Sequence, residues 1–397
     1  MPRTASALIN PAMLAWARDA AGLSIPEAAK KAHVAAHRYA EWEDGAATPT
    51  IAQLRALATA FKRPLAVFYL YEVPASFQPL RDFRRFPPEH AVSPTAHLRQ
   101  EIDRARYRRE IALDLLQTLG EEPAIVGLSL QRSGDTELAG NEVRNFLGIT
   151  REQQRQWHSP YDALNTWRAA IESRGLLTFQ FSGVEPAEAR AFSISEEPLP
   201  VLAVNIKDSP RARVFSFIHE LTHIGLRDGG LCDLRDDSAP GSAATRVEIY
   251  CNRVAGAAII PMQDLLEDET VTANAEDVTW SDQEIDTLSR RFSASWETVL
   301  RRLLIAGRTS EEFYRRKRRE LLERYSARTK PKEGFASPSV LAVATAGPQF
   351  VRLALSSYYQ ERITASDLSE FLGVRLKHMP GIEQAVLGHS VEFGPGP

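Results

Sequence analysis

Cysteine is nearly absent from this chain of 397 residues: Cys232 and Cys251 are the two it has. Two thiols cannot staple a chain of this length, which excludes a disulfide scaffold and points to a reducing compartment. Long apolar runs are missing as well. No stretch approaches the 18 consecutive apolar residues of a membrane-spanning helix, and the opening MPRTASALINPAML has no apolar core of a secretory signal. The expectation is a cytoplasmic protein with no membrane partner. Charge of one sign is also scarce, the net value being -3, so attraction to nucleic acid has to come from local patches.

What is present is globular material, 44% apolar and 25% charged, in a chain too long for a single core. From Leu14 to about Tyr71, turn signals such as AAGLS, EDGAATPT and KRPL separate short periodic stretches, which predicts about five helices of seven to eleven residues. A proline-rich connector, EVPASFQPLRDFRRFPPEHAVSP, follows. Then Leu98, Ile102, Ala105 or Tyr107, Ile111 and Leu115 recur at helical spacing with arginines between them, giving one long amphipathic helix. ALNTWRAAIESRGLLTFQF reads as a helix, a turn at Gly175 and a strand, and RAFSISEEPLPVLAVNIKDSP as two short strands. Helices are expected from about Ala212 and from Ala244 to Ile260, where Pro261 stops the second. The rest is helical, interrupted near Lys330 to Pro338. The fold class is therefore mostly α, with one α+β domain built on a small sheet.

The stretch FSFIHELTHIGL sets two histidines and a glutamate in an apolar run. His219 and His223, four residues apart, share a helix face one turn apart, and Glu220 is rotated about 100° from it. Two imidazoles on one ion with a carboxylate beside it form the H-E-x-x-H constellation, in which a divalent metal supplies Lewis acidity and the carboxylate takes the proton of the attacking water. With 9 histidines in the chain, chance produces the pattern in about one such sequence in a hundred. The alternative is a pair of core histidines bonded to backbone.

A hydrolytic site needs a third protein ligand. Glu248 borders the apolar stripe Val247, Cys251, Val254 and Ala258 of the following helix, and packing the two helices side by side brings it to the histidines. A first-turn glutamate favoured by the helix dipole is the competing explanation. Asp228, Asp233, Asp236 and Asp237 on the intervening glycine-rich loop are rival ligands held less rigidly, and Cys232 is a remoter one.

RAFSISEEPLPVLAVNIKDSPRARVFSFIHELTHIGL followed by EIYCNRVAGAAIIP resembles the ImmA/IrrE family of metallo-endopeptidases. The resemblance, over roughly Val143 to Leu304, rests on Asn205 closing a strand, the histidine pair with Glu220, Glu248, Asn252 four residues on, and Pro261. It implies His219, His223 and Glu248 as metal ligands, Glu220 as catalytic base, and a zinc-type site that manganese can also fill. Tyr250 and Cys251 stand where the family often has an acidic residue and alanine; neither is a ligand position. Asn252 either supports a ligand carboxylate or the neighbouring backbone, or is an ordinary surface residue.

LAWARDAAGLSIPEAAKKAHVAAHRYAEWEDGAATPTIAQLRALATAFKRPLAVFYL resembles the five-helix Xre/Cro-type helix-turn-helix, with Ala28 or Ala29 where two helices cross. Its third helix would expose Ala35, Ala36, His37, Arg38 and Glu41 to a major groove, and only His37 and Arg38 among them can read a base edge or touch phosphate. The alternative is a helical domain for homodimerisation or for docking a protein of the same fold. Two further basic concentrations, Arg104, Arg106, Arg108, Arg109 and Arg301, Arg302, Arg315–Arg319, read as solvated faces or as a nucleic-acid groove.

The expected domains are 1–74, a helix-turn-helix; 75–122, linker and bridging helix; 123–332, a zincin-like metallopeptidase with helical extension; and 333–397, a helical module. The expected function is a metal-dependent endopeptidase coupled to a DNA-binding domain, cleaving a helix-turn-helix repressor under stress, phage or mobile-element control. The alternative is a DNA-binding or antitoxin-like regulator whose metal site is structural or vestigial.

Overall fold

A computed structural model of the chain describes residues 6–61, 63, 65–72, 95–132, 134–227, 231–232, 243–274, 278–327 and 337–387. The proline-rich connector and the aspartates 228, 233, 236 and 237 lie outside them. The chain divides into two compact units, and the division falls between Arg104 and Ala105.

The first unit contains α1 (Pro11–Ala20), α2 (Ile25–Lys31), α3 (Ala36–Glu43) and α4 (Ile51–Phe61). Where a fifth helix of similar length was expected there is one tight 3-10 turn, Leu65–Tyr69, which buries only Phe68. Local chemistry starts the helices: Asn10 accepts from the Ala12 N–H ahead of α1, and Glu27 accepts from both the N–H and hydroxyl of Ser24 ahead of α2. Leu14, Ala28, Ala29, Tyr39, Trp42, Leu54 and Leu57 form the core. Both alanines are buried, so α2 and α3 cross closely there. Arg18 grips Glu43 with two parallel bonds of 2.7 and 3.0 Å, tying α1 to the end of α3.

The long helix α5 (Ala96–Leu119) buries Leu98, Ile102, Ala105, Ile111 and Leu115, with Ala105 rather than Tyr107 taking the inward position. In the second unit, α6 (Thr136–Leu147), α7 (Arg151–Arg155) and α8 (Pro160–Glu172) precede the sheet strands β1 (Leu177–Phe181), β2 (Ala191–Ile194) and β3 (Val201–Asn205). Then come α9 (Pro210–Gly225), β4 (Leu231–Cys232) and α10 (Ala243–Ile259). The sheet order is β1-β3-β2-β4, with β1 parallel to β3 and β2 antiparallel to its neighbours. Every residue of the three longer strands is buried, which requires cover on both faces.

Alternation along β1 shows where that cover comes from. Thr178 and Gln180 meet Arg168 of α8 and Arg213 of α9, while Phe179 points the other way, onto Phe350 at 6.2 Å. Phe350 belongs to α17 (Pro348–Tyr359), reached through α11 (Met262–Leu266), α12 (Glu269–Ala273), α13 (Asp282–Arg291), α14 (Trp296–Ile305), α15 (Glu311–Ala327) and α16 (Pro338–Ala346). α18 (Ala365–Leu372) and α19 (Met379–Leu387) complete the chain's described helices. Gly347 joins α16 to α17 at φ +88, and a Cβ there would run into the carbonyl oxygen of Thr178. Only glycine lets this corner approach the strand.

Among the described residues, no single helix is long and apolar enough to cross a membrane. The apolar pair α16 and α17 is bent by 105° and buries Ala342, Ala346, Phe350, Val351 and Leu355 within its unit.

Candidate metal centre

α9 starts two residues before the expected Ala212, because Ser209 caps the Ala212 N–H and Pro210 occupies the first turn. It packs against β2, β3, α8 and α10 and is buried over nearly its whole length. His219 and Glu220 are completely buried and His223 nearly so. Burial without partners costs about 1–3 kcal/mol per polar group, so these side chains need an account.

The two imidazoles face one another with their Nε2 atoms 3.1 Å apart. α10 delivers Glu248 to the same point, 3.3 Å from the Nε2 of His219 and 3.5 Å from that of His223. Two ligands at zinc–nitrogen bond length and a tetrahedral angle are about 3.3 Å apart; the three separations bracket that value. At most one imidazole can donate to the other, so the remaining lone pairs converge on a common centre, as a cation requires. His219, His223 and Glu248 thus form a group that fits a divalent metal.

Other polar atoms around this centre are orphaned. Both carboxylate oxygens of Glu220 are buried without a hydrogen-bond partner, as are the Nδ1 of His219 and the Ser193 hydroxyl beside Glu220. Phe215, one turn before His219, lays its ring along that imidazole at 6.4 Å. Neither Ser193 nor Phe215 stands out in the sequence, since each becomes relevant only through packing.

Residues 173–304 match the family model described as IrrE N-terminal-like domain, a peptidase family, and residues 12–67 match a helix-turn-helix domain model. The chain thus has a segment similar to an IrrE N-terminal-like domain behind one similar to a helix-turn-helix domain. No curated protein matches it. A solved structure titled Mycobacterium tuberculosis transcriptional regulator aligns at 19% identity with a TM-score of 0.30, over 49% of this chain and 51% of that one. The chain thus spans about half the length of that protein.

Within the IrrE-like domain, electrostatics separate the two glutamates. Burial pushes the carboxyl of Glu220 up, with His223 and His219 pulling back only in part. Burial acts on Glu248 in the same sense, but hydrogen bonds and charge from the two histidines outweigh it and hold that carboxyl at about 2. Glu248 therefore keeps the charged form a ligand needs, while Glu220 has a raised affinity for a proton. Cys251, next to His223, is fully buried and burial pushes its thiol up, so it stays protonated and is a poor ligand. The side chain of Cys232 lies outside the described residues.

The stripe on α10 runs slightly differently from expectation: Cys251, Val254, Ala255 and Ala258 are buried, while Val247 is half-exposed. Asn205 clamps the loop before β2 by donating to the carbonyls of Val184 and Ala189, and so shapes the entry to α9. Asn252 is half-buried one turn beyond Glu248, on the wall of a cleft of about 390 Å3 that Phe215 also lines.

In the helix-turn-helix domain, His37 and Arg38 are exposed on α3, opposite buried Tyr39 and Trp42. Arg38 pairs with Glu41 at 2.5 Å. The other basic concentrations are largely committed inside the protein. Arg109 donates to the carbonyls of Glu196, Pro198 and Leu199, and Arg108 to that of Thr345. Arg302 grips Glu137 at 2.6 and 2.8 Å, and along α15 Arg315, Lys317 and Arg318 pair with Glu311, Asp282 and Glu297. These contacts favour structural and solvated roles over a continuous nucleic-acid groove.

Proposed function

We propose that the chain is a metal-dependent endopeptidase joined to a DNA-binding helix-turn-helix domain, cleaving a protein regulator in the cytoplasm. The observation carrying this reading is the convergence of His219, His223 and Glu248 beside a buried carboxylate that has no other partner. Zinc, or manganese in its place, supplies Lewis acidity toward a substrate carbonyl. Glu220 takes the proton of the attacking water and returns it to the leaving amine, roles suited to a carboxyl whose proton affinity burial has raised. Ser193 lies where it can hold the protonated form. Glu248 stays ionised throughout, and Asn252 borders the substrate side. The helix-turn-helix domain, with His37, Arg38 and Glu41 outward, holds the peptidase near promoters or near proteins of its own fold, which makes a helix-turn-helix repressor under stress, phage or mobile-element control the proposed substrate.

The test is metal analysis of purified protein alongside co-expression with helix-turn-helix proteins encoded nearby. Glu220→Gln is expected to retain metal at wild-type stoichiometry and to abolish fragments that the wild type produces. Fragments persisting in Glu220→Gln would overturn the assignment. Metal retained with no fragment from either protein would leave a regulator whose metal site is structural.

A further inference from the structure

The cleft next to the ligands is walled by the start of α9, by the second half of α10, by α14 and by the middle of α15. It begins one helical turn from the metal group, since Phe215 precedes His219 and Asn252 follows Glu248 by one turn each. Six cationic side chains line it: Arg190, Lys207, Arg253, Arg301, Arg302 and Arg318. Its two acidic residues are neutralised locally, Asp208 by Arg190 at 3.5 Å and Glu297 by Arg318 at 3.0 Å. Arg302 is spent on Glu137 beneath the surface. Lys207 pairs with a highly exposed glutamate, Glu185, while Arg253 is exposed and the Arg301 guanidinium sits over the Tyr314 ring, 4.6 Å from its centre. A chain of net charge -3 thus concentrates positive potential beside its metal group.

The same walls are partly aliphatic. Ile305 and Leu322 are 42% and 50% exposed, and Ala212 and Leu321 lie with them. Gly256 keeps the floor low, since a Cβ there would press on Arg302 at 3.3 Å. Single-stranded nucleic acid needs aromatic platforms for its bases; among the described residues lining this cleft the one aromatic, Phe215, is already laid against His219. Aliphatic side chains interleaved with cations instead complement a peptide that alternates acidic and aliphatic residues.

We infer that this cleft binds an acidic, leucine-rich segment of the protein substrate and thereby feeds the neighbouring bond to the metal group. The inference rests on the peptidase reading for the word substrate, but the binding itself does not. The experiment therefore uses full-length Glu220→Gln protein, metal-loaded and chelated, with a short Glu/Leu peptide carrying a neutral fluorophore. A Lys/Leu peptide and a short oligothymidylate serve as competitors, and anisotropy is the readout. The Glu/Leu peptide is expected to bind both forms, to weaken as salt rises, and to resist both competitors. Lys207→Glu with Arg253→Glu is expected to weaken it at least about tenfold, and the matching glutamine pair by less, with melting temperature and metal stoichiometry unchanged. Equal binding of the Glu/Leu and Lys/Leu peptides, displacement by oligothymidylate, or insensitivity to both variant pairs would overturn the inference. None of these outcomes touches metal content or fragment production, so the cleft and the catalytic assignment fail separately.

Discussion

Replacing Gly140 by alanine probes what fixes Glu248 opposite the histidines. Gly140 lies inside α6, packed on α10, and a Cβ there would sit 2.6 Å from the Cβ of Ala257 and 2.8 Å from the nitrogen of Ala258. Carbon atoms ordinarily rest about 3.5–4.0 Å apart, so the two helices must separate by about 1 Å. Overpacking of this kind costs about 1–3 kcal/mol, and the better helix propensity of alanine offsets about 0.5–1 kcal/mol of it. The net loss of about 1–2 kcal/mol lowers the melting temperature of the larger unit by about 2–8 °C. Because α10 also carries Glu248, the carboxylate moves away from the imidazoles. Zinc affinity should fall by roughly tenfold, the scale seen when groups supporting a metal ligand are altered. Thermal melts of chelated protein give the first quantity, and competition with a chromophoric chelator the second. An unchanged or raised melting temperature with wild-type zinc affinity would show that the α6–α10 contact does not position the ligand.

Three further expectations follow from other contacts. Saturating zinc at a hundred times its Kd should stabilise the protein by about 2.7 kcal/mol, and Glu248→Ala should abolish that metal-dependent rise in melting temperature. Gly347→Ala, which combines a left-handed backbone with a collision against the Thr178 carbonyl, should destabilise the larger unit by about 2 kcal/mol or more, read by urea unfolding; a neutral result would contradict the close approach of α16–α17 to β1. Asp282, bonded to Lys317 and Arg324, has its carboxyl held below the ordinary 3.8. A depressed carboxyl contributes stability above its unfolded value and loses it as pH falls, so Asp282→Asn should cost about 0.5–1 kcal/mol at pH 6 and nothing once both states are protonated, well below pH 3.8.

Much of the metal group was legible because it is local. Two histidines four residues apart must share a helix face whatever the rest of the chain does, and the apolar run around them already marked α9 as buried. Glu248 was legible one step further out, because the stripe of α10 identified which face would meet α9. The fifth helix of the first unit is present as a 3-10 helix, shorter than its neighbours, for a related reason. Periodicity in LAVFY is compatible with a helix, but the stretch forms only five residues of 3-10 helix, in which Phe68 is fully buried and Leu65 packs against the core in part. Gly140, Ser193 and Phe215 carry no local signal at all; each acquires its role from an element distant in sequence.

The arginines show most clearly where sequence patterning stops. Arg108, Arg109 and Arg302 stand in runs that look like solvated faces, yet they are buried, because a guanidinium can offer five N–H groups to carbonyls left unpaired where loops and helices end. Arg109 takes up three carbonyls of the β2–β3 connection, and Arg302 takes the carbonyl of Ile260 at the end of α10 together with Glu137 of α6. Charge patterning along one helix cannot reveal this, since the carbonyls belong to segments about ninety and forty residues away. The consequence is functional as well as structural. Arg302 joins α14 to both helices that set the place of Glu248, and it lies directly under the cationic cleft, so α14 braces the metal group on one side and lines the cleft on the other.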